Sequence, residues 1–588
     1  MKKINLNKIW PALIFLLTAI IITWPVITNT RSIIFGYAGD PFGSLWWLWW
    51  KKYALLNHLD SNFTGLLSAP WGTMVSNFAV SVSDWLALGL GIIFGSEIVG
   101  YNLVILINIF LAGLAMYWLV NYLTENKLAG IFSGIAFILS SYLLAHSQQH
   151  LGLSGVFWFP LIILYLLKFS EEEKWKNICF SGIFIGGAIA QNFYYGYMAL
   201  ILMLVFAIYF LAIKIIKKEN ALKFILQLIL IGIIALVLSL PITYNSYYEF
   251  INKSNAVTQN TTVRSEAELS VYSAKWINYF YPSPNNPIFG KFTKNAYNDS
   301  LKQSGSNIAE QNLYLGIIPI LLMIYCLWQI TKVKNPTQID RVEANQKSRN
   351  KIFILFLLLL AIVTLYFSFT LAFSIFGINF KTPANYIFPY LPYFRVYARF
   401  GLIVALSVSI LAGMGLSSIL DKIKNKRISV LLYVFLVFLL LIEFINFPPT
   451  HSVNVSKNAM PEIYENLAKL GKGIVAEYPL LPTQEPLSYN YLLWQRYHQM
   501  PLVYGAVKGT KEDDFRKSIL NPEDSKTIDR LKSIGVKYLI IHLDSYTKEN
   551  IKKYPLEYNL GVPPEISSSK LELMSQSKND LLYKIITP

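Results

Sequence analysis

The chain of 588 residues carries 51 Lys and Arg against 34 Asp and Glu, a net charge of +17, yet only 14% of it is charged and 54% is hydrophobic. At a mean hydropathy of +0.43 this excludes an ordinary soluble enzyme and implies a chain that crosses a membrane many times. Its basic residues sit in short clusters between apolar runs, as in loops facing anionic lipid, which excludes nucleic acid as the partner; its two cysteines, Cys179 and Cys326, exclude a disulfide framework.

Apolar segments long enough to span a bilayer fall near 9–27, 99–121, 128–146, 152–168, 177–194, 197–216, 222–243, 312–331, 351–371, 399–420 and 428–446, about eleven in all. The first follows Lys2-Lys3 but lacks a small-x-small cleavage site, so it reads as a helix that stays rather than a leader. A shorter apolar piece near 84–96 reads as re-entrant or interfacial. Counting Lys and Arg in short loops sets the N-terminus inside, with the basic loops around Lys127, Lys168–Lys176, Lys214–Lys223, Lys332–Lys351 and Lys422–Arg427 in the cytoplasm. The long aromatic loops 28–98 and 244–311, the short connections 147–151 and 195–196, the segment 372–398 and everything after 446 then lie outside.

This divides the chain into a mostly α, polytopic transmembrane helical bundle, residues 1–446, and an extracytoplasmic α/β domain, residues 447–588. In the latter, strands are expected at Gly473–Tyr478, Val536–His542 and Leu581–Ile586, with a helix near Ser525–Ile534. Arg496 and His498 of this domain read as surface residues or as contacts to an acceptor, and the domain itself as binding the acceptor or covering the site.

Candidate chemistry gathers on the outer side. In Tyr37-Ala-Gly-Asp40-Pro41 the glycine permits a turn, and Pro41 is expected to keep Asp40 out of a regular helix so that its carboxylate projects into a cavity. Asp40 suits a general base toward an acceptor hydroxyl, a metal ligand, or a plain turn residue. Trp46, Trp47, Trp49 and Trp50 behind it read as an interfacial belt at headgroup depth. His146, Gln149 and His150 follow at the end of the third span. The two histidines, four apart, would share a face of a continued helix, which suits substrate hydrogen bonding, zinc ligation or simple boundary positions. No His-Glu-x-x-His motif is present, which removes the metalloprotease reading. Gln191, with Asn192 and Tyr194, points either to a water-filled pocket or to hydrogen bonding between helices, because polar groups inside a membrane need one or the other. Glu310 precedes a span, at the membrane level of Asp40. Arg395 and Arg399 offer two guanidinium groups at a helix N-terminus, a pattern that suits phosphate.

Together, Gly39-Asp40, the His/Gln cluster before Trp158-Phe-Pro160, Glu310-x-x-x-Tyr314-Leu-Gly316 and Phe394-Arg395-x-Tyr-x-Arg399-Phe400 resemble the GT-C superfamily of membrane glycosyltransferases. They are most similar to the YfhO-type multi-spanning envelope proteins, and the likeness extends into the tail at Tyr491–Gly505 and Leu531–Tyr538. The resemblance implies transfer of a sugar, with inversion, from a polyprenyl-phosphate donor to an extracytoplasmic glycan, lipid or protein acceptor at the plasma membrane. It implies Asp40 as the catalytic acid of the first outer loop, Glu310 as a second acid, and Arg395 and Arg399 as binding the donor phosphate; His146, Gln149, His150, Gln191 and Tyr194 join them as substrate-binding candidates from the reading of the residues themselves. No cofactor is otherwise implied. Where many members carry a second acid beside the first, this chain has Pro41, so a divalent metal stays open. A lipid or glycolipid flippase is the alternative, since polar residues within the spans also suit a translocation path.

Overall fold

The computed structural model describes residues 6–75, 81–252, 263–331, 341–375, 378–446, 450–482, 485–507, 509–553, 558 and 560–586. Parts of the outer loop 244–311 and of the inner loop around Lys332–Lys351 lie outside these described residues.

Every apolar segment forms a helix. Helix α1 is Leu6–Ile22, and the first outer loop adds α2, Asp40–Leu56, and α3, Val82–Ile93. Then follow α4, Glu97–Thr124, α5, Lys127–Ile138, α6, Ser141–Ser147, α7, Trp158–Glu171, α8, Trp175–Gln191, α9, Phe193–Ile216, and α10, Ala221–Asn252. The bundle closes with α11, Ile317–Thr331, α12, Arg341–Ser368, α13, Gly401–Leu420, and α14, Lys426–Phe444. Among the described residues seven helices are long and apolar enough to cross a membrane, and an eighth if α5 and α6, bent by 49°, count as one. The expected spans near 9–27, 177–194 and 312–331 are helices of 17, 17 and 15 residues, shorter than the roughly 20 a straight crossing needs. The bend between α5 and α6 falls at Ser140, whose hydroxyl turns back to the Phe137 carbonyl at 2.7 Å and starts the next helix. Helix α13 lies at the centre: a side chain at Gly413 would run into Ser133, and one at Gly415 into the Leu322 carbonyl, so α5 and α11 approach its backbone directly.

The connections sort into two groups. At one end, Glu171 binds Arg349 at 2.6 Å and Glu173 binds Lys214 at 2.7 Å and Lys223 at 2.8 Å, which draws together basic loops expected on one side. The aromatic loops and the tail converge elsewhere. Strand β1, Ile33–Phe35, pairs antiparallel with β2, Ser452–Asn454, just past the bundle.

Beyond it, helix α15, Glu462–Lys469, precedes β3, Ile474–Tyr478, then α16, Tyr489–His498, α17, Ser525–Ser533, and β4, Val536–His542. Strands β5, Leu571–Gln576, and β6, Asp580–Ile585, complete a sheet ordered β3-β4-β6-β5, in which only the β3/β4 pair is parallel. Strand β5 is an addition to the sequence reading. It is an edge strand with little buried surface, so it lacks the apolar signal that marked the others.

Three readings are corrected. Asp40 is not outside a helix but is the first residue of α2, because Pro41 occupies the first turn, where its missing N–H leaves no bond unmade. Gly39, at φ +140°, supplies the turn into it. The four tryptophans of α2 are not an exposed belt: all are at most 7% exposed. Trp46 donates to Gln495 Oε1 of α16 at 2.7 Å, and Trp47 meets Trp85 edge-on. An amphipathic ring buried by a partner segment needs no lipid interface. Finally, Arg496 and His498 are buried, and Arg496 joins Lys52 on Glu97, each at 2.6 Å, so that α2 and α16 are clamped to the start of α4.

Candidate functional site

The turn Gly36–Gly39 is fixed before the site begins. Gly36, at φ +120°, lies against the Gln148 carbonyl so closely that no side chain fits, and the Tyr37 N–H bonds that same carbonyl at 3.0 Å. This sets Asp40 opposite the chain segment that follows α6. There, His150 Nδ1 lies 3.0 Å from Asp40 Oδ2, with the two side chains 26% and 41% exposed. A second hydrogen bond reaches Asp40 from Tyr489, at the start of α16 in the tail. Burial alone would raise the Asp40 carboxyl, but the hydrogen bond and charge of His150, the Tyr489 hydroxyl and the positive charge of Arg399 outweigh it and leave it below its ordinary range. Asp40 is therefore an anion at neutral pH. The same contact and burial push the Tyr489 hydroxyl up, so that it remains a donor.

Asp40 faces a cavity of about 200 Å³ whose wall also includes Ser44, Asp84, Gln149, His150, Gln191 and Arg399. Five of the nine residues singled out from the sequence thus meet at one space: Asp40, Gln149, His150, Gln191 and Arg399. Gln191 serves both of its expected readings. It lines the cavity, and its amide binds Ser83 Oγ at 2.9 Å and the Gly152 carbonyl at 2.8 Å, tying α8 to α3.

The other four do not line it. Glu310, in the single turn Ile308–Gln311, receives Arg399 Nη2 at 2.5 Å and Nε at 3.2 Å, and lies 3.0 Å from His146 Nε2. Glu310 and His146 are 5% and 0% exposed, and neither lines the cavity. Burial opposes the Glu310 charge, but Arg399 and His146 hold its carboxyl far below the ordinary range. With its oxygens taken up, Glu310 orients Arg399 rather than facing substrate. Tyr194 accepts the backbone N–H groups of Arg395 and Val396 at 3.1 and 3.2 Å, and the Arg399 guanidinium lies over its ring. Tyr194 thereby fixes the entry to α13. Arg395 binds Glu268 at 3.2 Å.

Two expected geometries are absent. Arg395 and Arg399 do not share a helix face, because Arg395 precedes the short 3₁₀ turn Tyr397–Phe400 and the two guanidinium groups go to different carboxylates. Nor do His146 and His150 share one, because α6 ends at Ser147, and each imidazole takes its own carboxylate. A metal fits this centre poorly. Among the described residues no three His, Cys, Asp or Glu side chains converge, and the His150 nitrogen facing Asp40 is already used by it.

Tyr489 and Asp84 are the residues that sequence reasoning missed. Asp84 had a readable signal, the Ser81-x-x-Asp84 capping box at the head of α3. Tyr489 had none, since it reaches Asp40 only through the folding of the tail.

A family model described as Domain of unknown function (DUF6311) matches residues 90–444. No curated protein matches. Among solved structures, the oligosaccharyltransferase of Archaeoglobus fulgidus, in complex with Zn and sulfate, aligns at 12% identity over 92% of this chain and 68% of that chain, with a TM-score of 0.50. Arabinofuranosyltransferase AftD from Mycobacteria aligns at 12% identity over 98% of this chain and 40% of that chain, with a TM-score of 0.52. What is shared is the fold, a polytopic helical bundle with a domain after it.

Proposed function

The chain belongs to the DUF6311 family, and we propose that it transfers a sugar from a polyprenyl-phosphate donor to an acceptor outside the cytoplasm. The observation that carries this reading is the cavity where a half-exposed carboxylate, Asp40, faces a guanidinium, Arg399, across a space lined with amides. Sugar transfer from a lipid phosphate needs an anion to take the acceptor proton and a cation to receive the departing phosphate. These two groups meet that need.

In the proposed reaction the acceptor hydroxyl attacks the anomeric carbon as the bond from that carbon to the phosphate oxygen breaks. The acceptor proton passes to Asp40, held in place by His150 and Tyr489, and the phosphate leaves as an anion toward Arg399. Arg399 has Nε and Nη2 committed to Glu310, so Nη1 is the edge it can offer to phosphate. A single displacement inverts the anomeric centre. Gln149 and Gln191 supply neutral hydrogen bonds to the sugar hydroxyls, and the cavity faces the extracytoplasmic side of the plasma membrane. The A. fulgidus and mycobacterial proteins, named as an oligosaccharyltransferase and an arabinofuranosyltransferase, support glycosyl transfer as the chemistry for this fold.

The test is to incubate the purified full chain with radiolabelled polyprenyl-phosphate sugars and a membrane extract, with and without a chelator. We expect label to leave one donor for an acceptor in both conditions. Movement of a labelled lipid across liposomes without donor consumption overturns the reading in favour of a flippase.

A further inference from the structure

A second, open cleft shares Gln149 with the Asp40 cavity, and its wall includes Tyr37, Asn285, Asn312, Asn446 and His451. No Asp, Glu, Lys or Arg lies among the described residues that line it. Phosphate needs cations and a metal needs anionic or several imidazole ligands, so the lining selects against both. Burial lowers His451 from its ordinary range, which keeps that ring neutral as well.

The cleft is nevertheless polar, and part of its polarity is unspent. Asn312 is 7% exposed, and among the described residues its Oδ1 has no hydrogen-bond partner; the Oδ1 of Asn446 is likewise buried and unpartnered among them. Two orphaned amide oxygens on one cleft call for a ligand that brings hydrogen-bond donors. Beside them the Tyr37 ring stacks on His451, with centroids 4.0 Å apart. An aromatic face next to neutral amides suits a molecule with hydroxyls around its edge and C–H bonds on its face.

We infer that this cleft binds a neutral saccharide, the acceptor end of the substrate pair, while the cavity across Gln149 takes the phosphate-bearing donor. The inference rests on the transferase reading for the word acceptor, and on the cleft alone for the word saccharide. The segment Tyr37–Asp40 runs from the wall of the cleft to the wall of the cavity, and Gln149 borders both. A neutral glycan or glycolipid headgroup meets this chemistry. An anionic polymer does not.

Binding to the full-length protein in nanodiscs, measured without donor, is the test. The probes are neutral manno-, gluco- and galacto-oligosaccharides, an oligogalacturonate and a neutral hexapeptide. We expect at least one neutral oligosaccharide to bind. We also expect Asn312→Leu to weaken it tenfold or more, and Asn285→Ala, on the exposed rim where folding is not at stake, to weaken it severalfold. In the transfer assay both variants are expected to raise the acceptor KM and leave the donor KM unchanged. Preference for the hexapeptide or the oligogalacturonate, or binding that neither variant alters, overturns the inference. If no saccharide binds while label still leaves the donor, the cleft assignment fails alone. If a saccharide binds through these asparagines while no donor is consumed, the cleft assignment stands and the transferase reading fails.

Discussion

Asp40–His150 and Glu310–His146 are built from the same groups at the same separation of 3.0 Å, and their histidines are four residues apart. One pair opens on a cavity, while the other is sealed and shares its carboxylate with Arg399. An exposed carboxylate keeps lone pairs for a substrate and contributes little to stability. A buried one is consumed by its partners and becomes part of the scaffold. On the proposed reaction, burial and the Arg399 contact thus divide the same chemistry into a reacting pair and a positioning pair.

The largest effect that tests this contrast is on folding. Glu310→Ala strands the Arg399 charge in a buried site and is expected to cost about 3–5 kcal/mol, read as a large fall in melting temperature. Asp40→Ala, at the open pair, is expected to cost no more than about 1 kcal/mol. Equal losses at the two sites would erase the distinction.

A third pairing, in the tail, extends the contrast to pH. His542 lies 2.7 Å from Asp580 and 3.1 Å from Glu477. Burial lowers its pKa, but the two carboxylates outweigh that and raise it to about 9. A histidine raised on folding contributes its stability fully below its unfolded value of about 6.5 and loses it as pH climbs through the folded value, on the order of 3 kcal/mol in all. Melting curves at rising pH should therefore show a decline that His542→Gln removes. A decline of the same size in that variant assigns it to other groups.

The smallest effect concerns Tyr489. Tyr489→Phe deletes one hydrogen bond to a charged acceptor, so the Asp40 carboxyl should rise. The acidic limb of the kcat/KM profile then moves to higher pH, with transfer at neutral pH down by about three- to tenfold. A slower enzyme with an unmoved limb separates Tyr489 from Asp40.

Much of the bundle was legible because apolar length and basic loops are local signals: each expected apolar segment is a helix, and the loops carrying Arg349, Lys214 and Lys223 do gather around Glu171 and Glu173. The site was legible as a set of residues rather than as a shape. Asp40, Gln149, His150, Gln191 and Arg399 meet, but which acid faced the cavity depended on burial, which a sequence does not record. Trp46 misled for a related reason. Tryptophan suits both a lipid interface and a buried contact, and its partner, Gln495, lies far along the chain. Tyr489 was invisible because only the packing of α16 on α2 brings it to Asp40.

If the open carboxylate takes the acceptor proton, Asp40→Asn stops transfer without unfolding the chain, because the change keeps the shape and removes the proton acceptor. Assayed in nanodiscs against labelled polyprenyl-phosphate sugar, with melting curves on the same preparation, this variant should melt like the unaltered chain and lose transfer by about 10²–10⁴-fold. An Asp40→Asn protein that melts normally and still transfers sugar at the original rate would contradict the account.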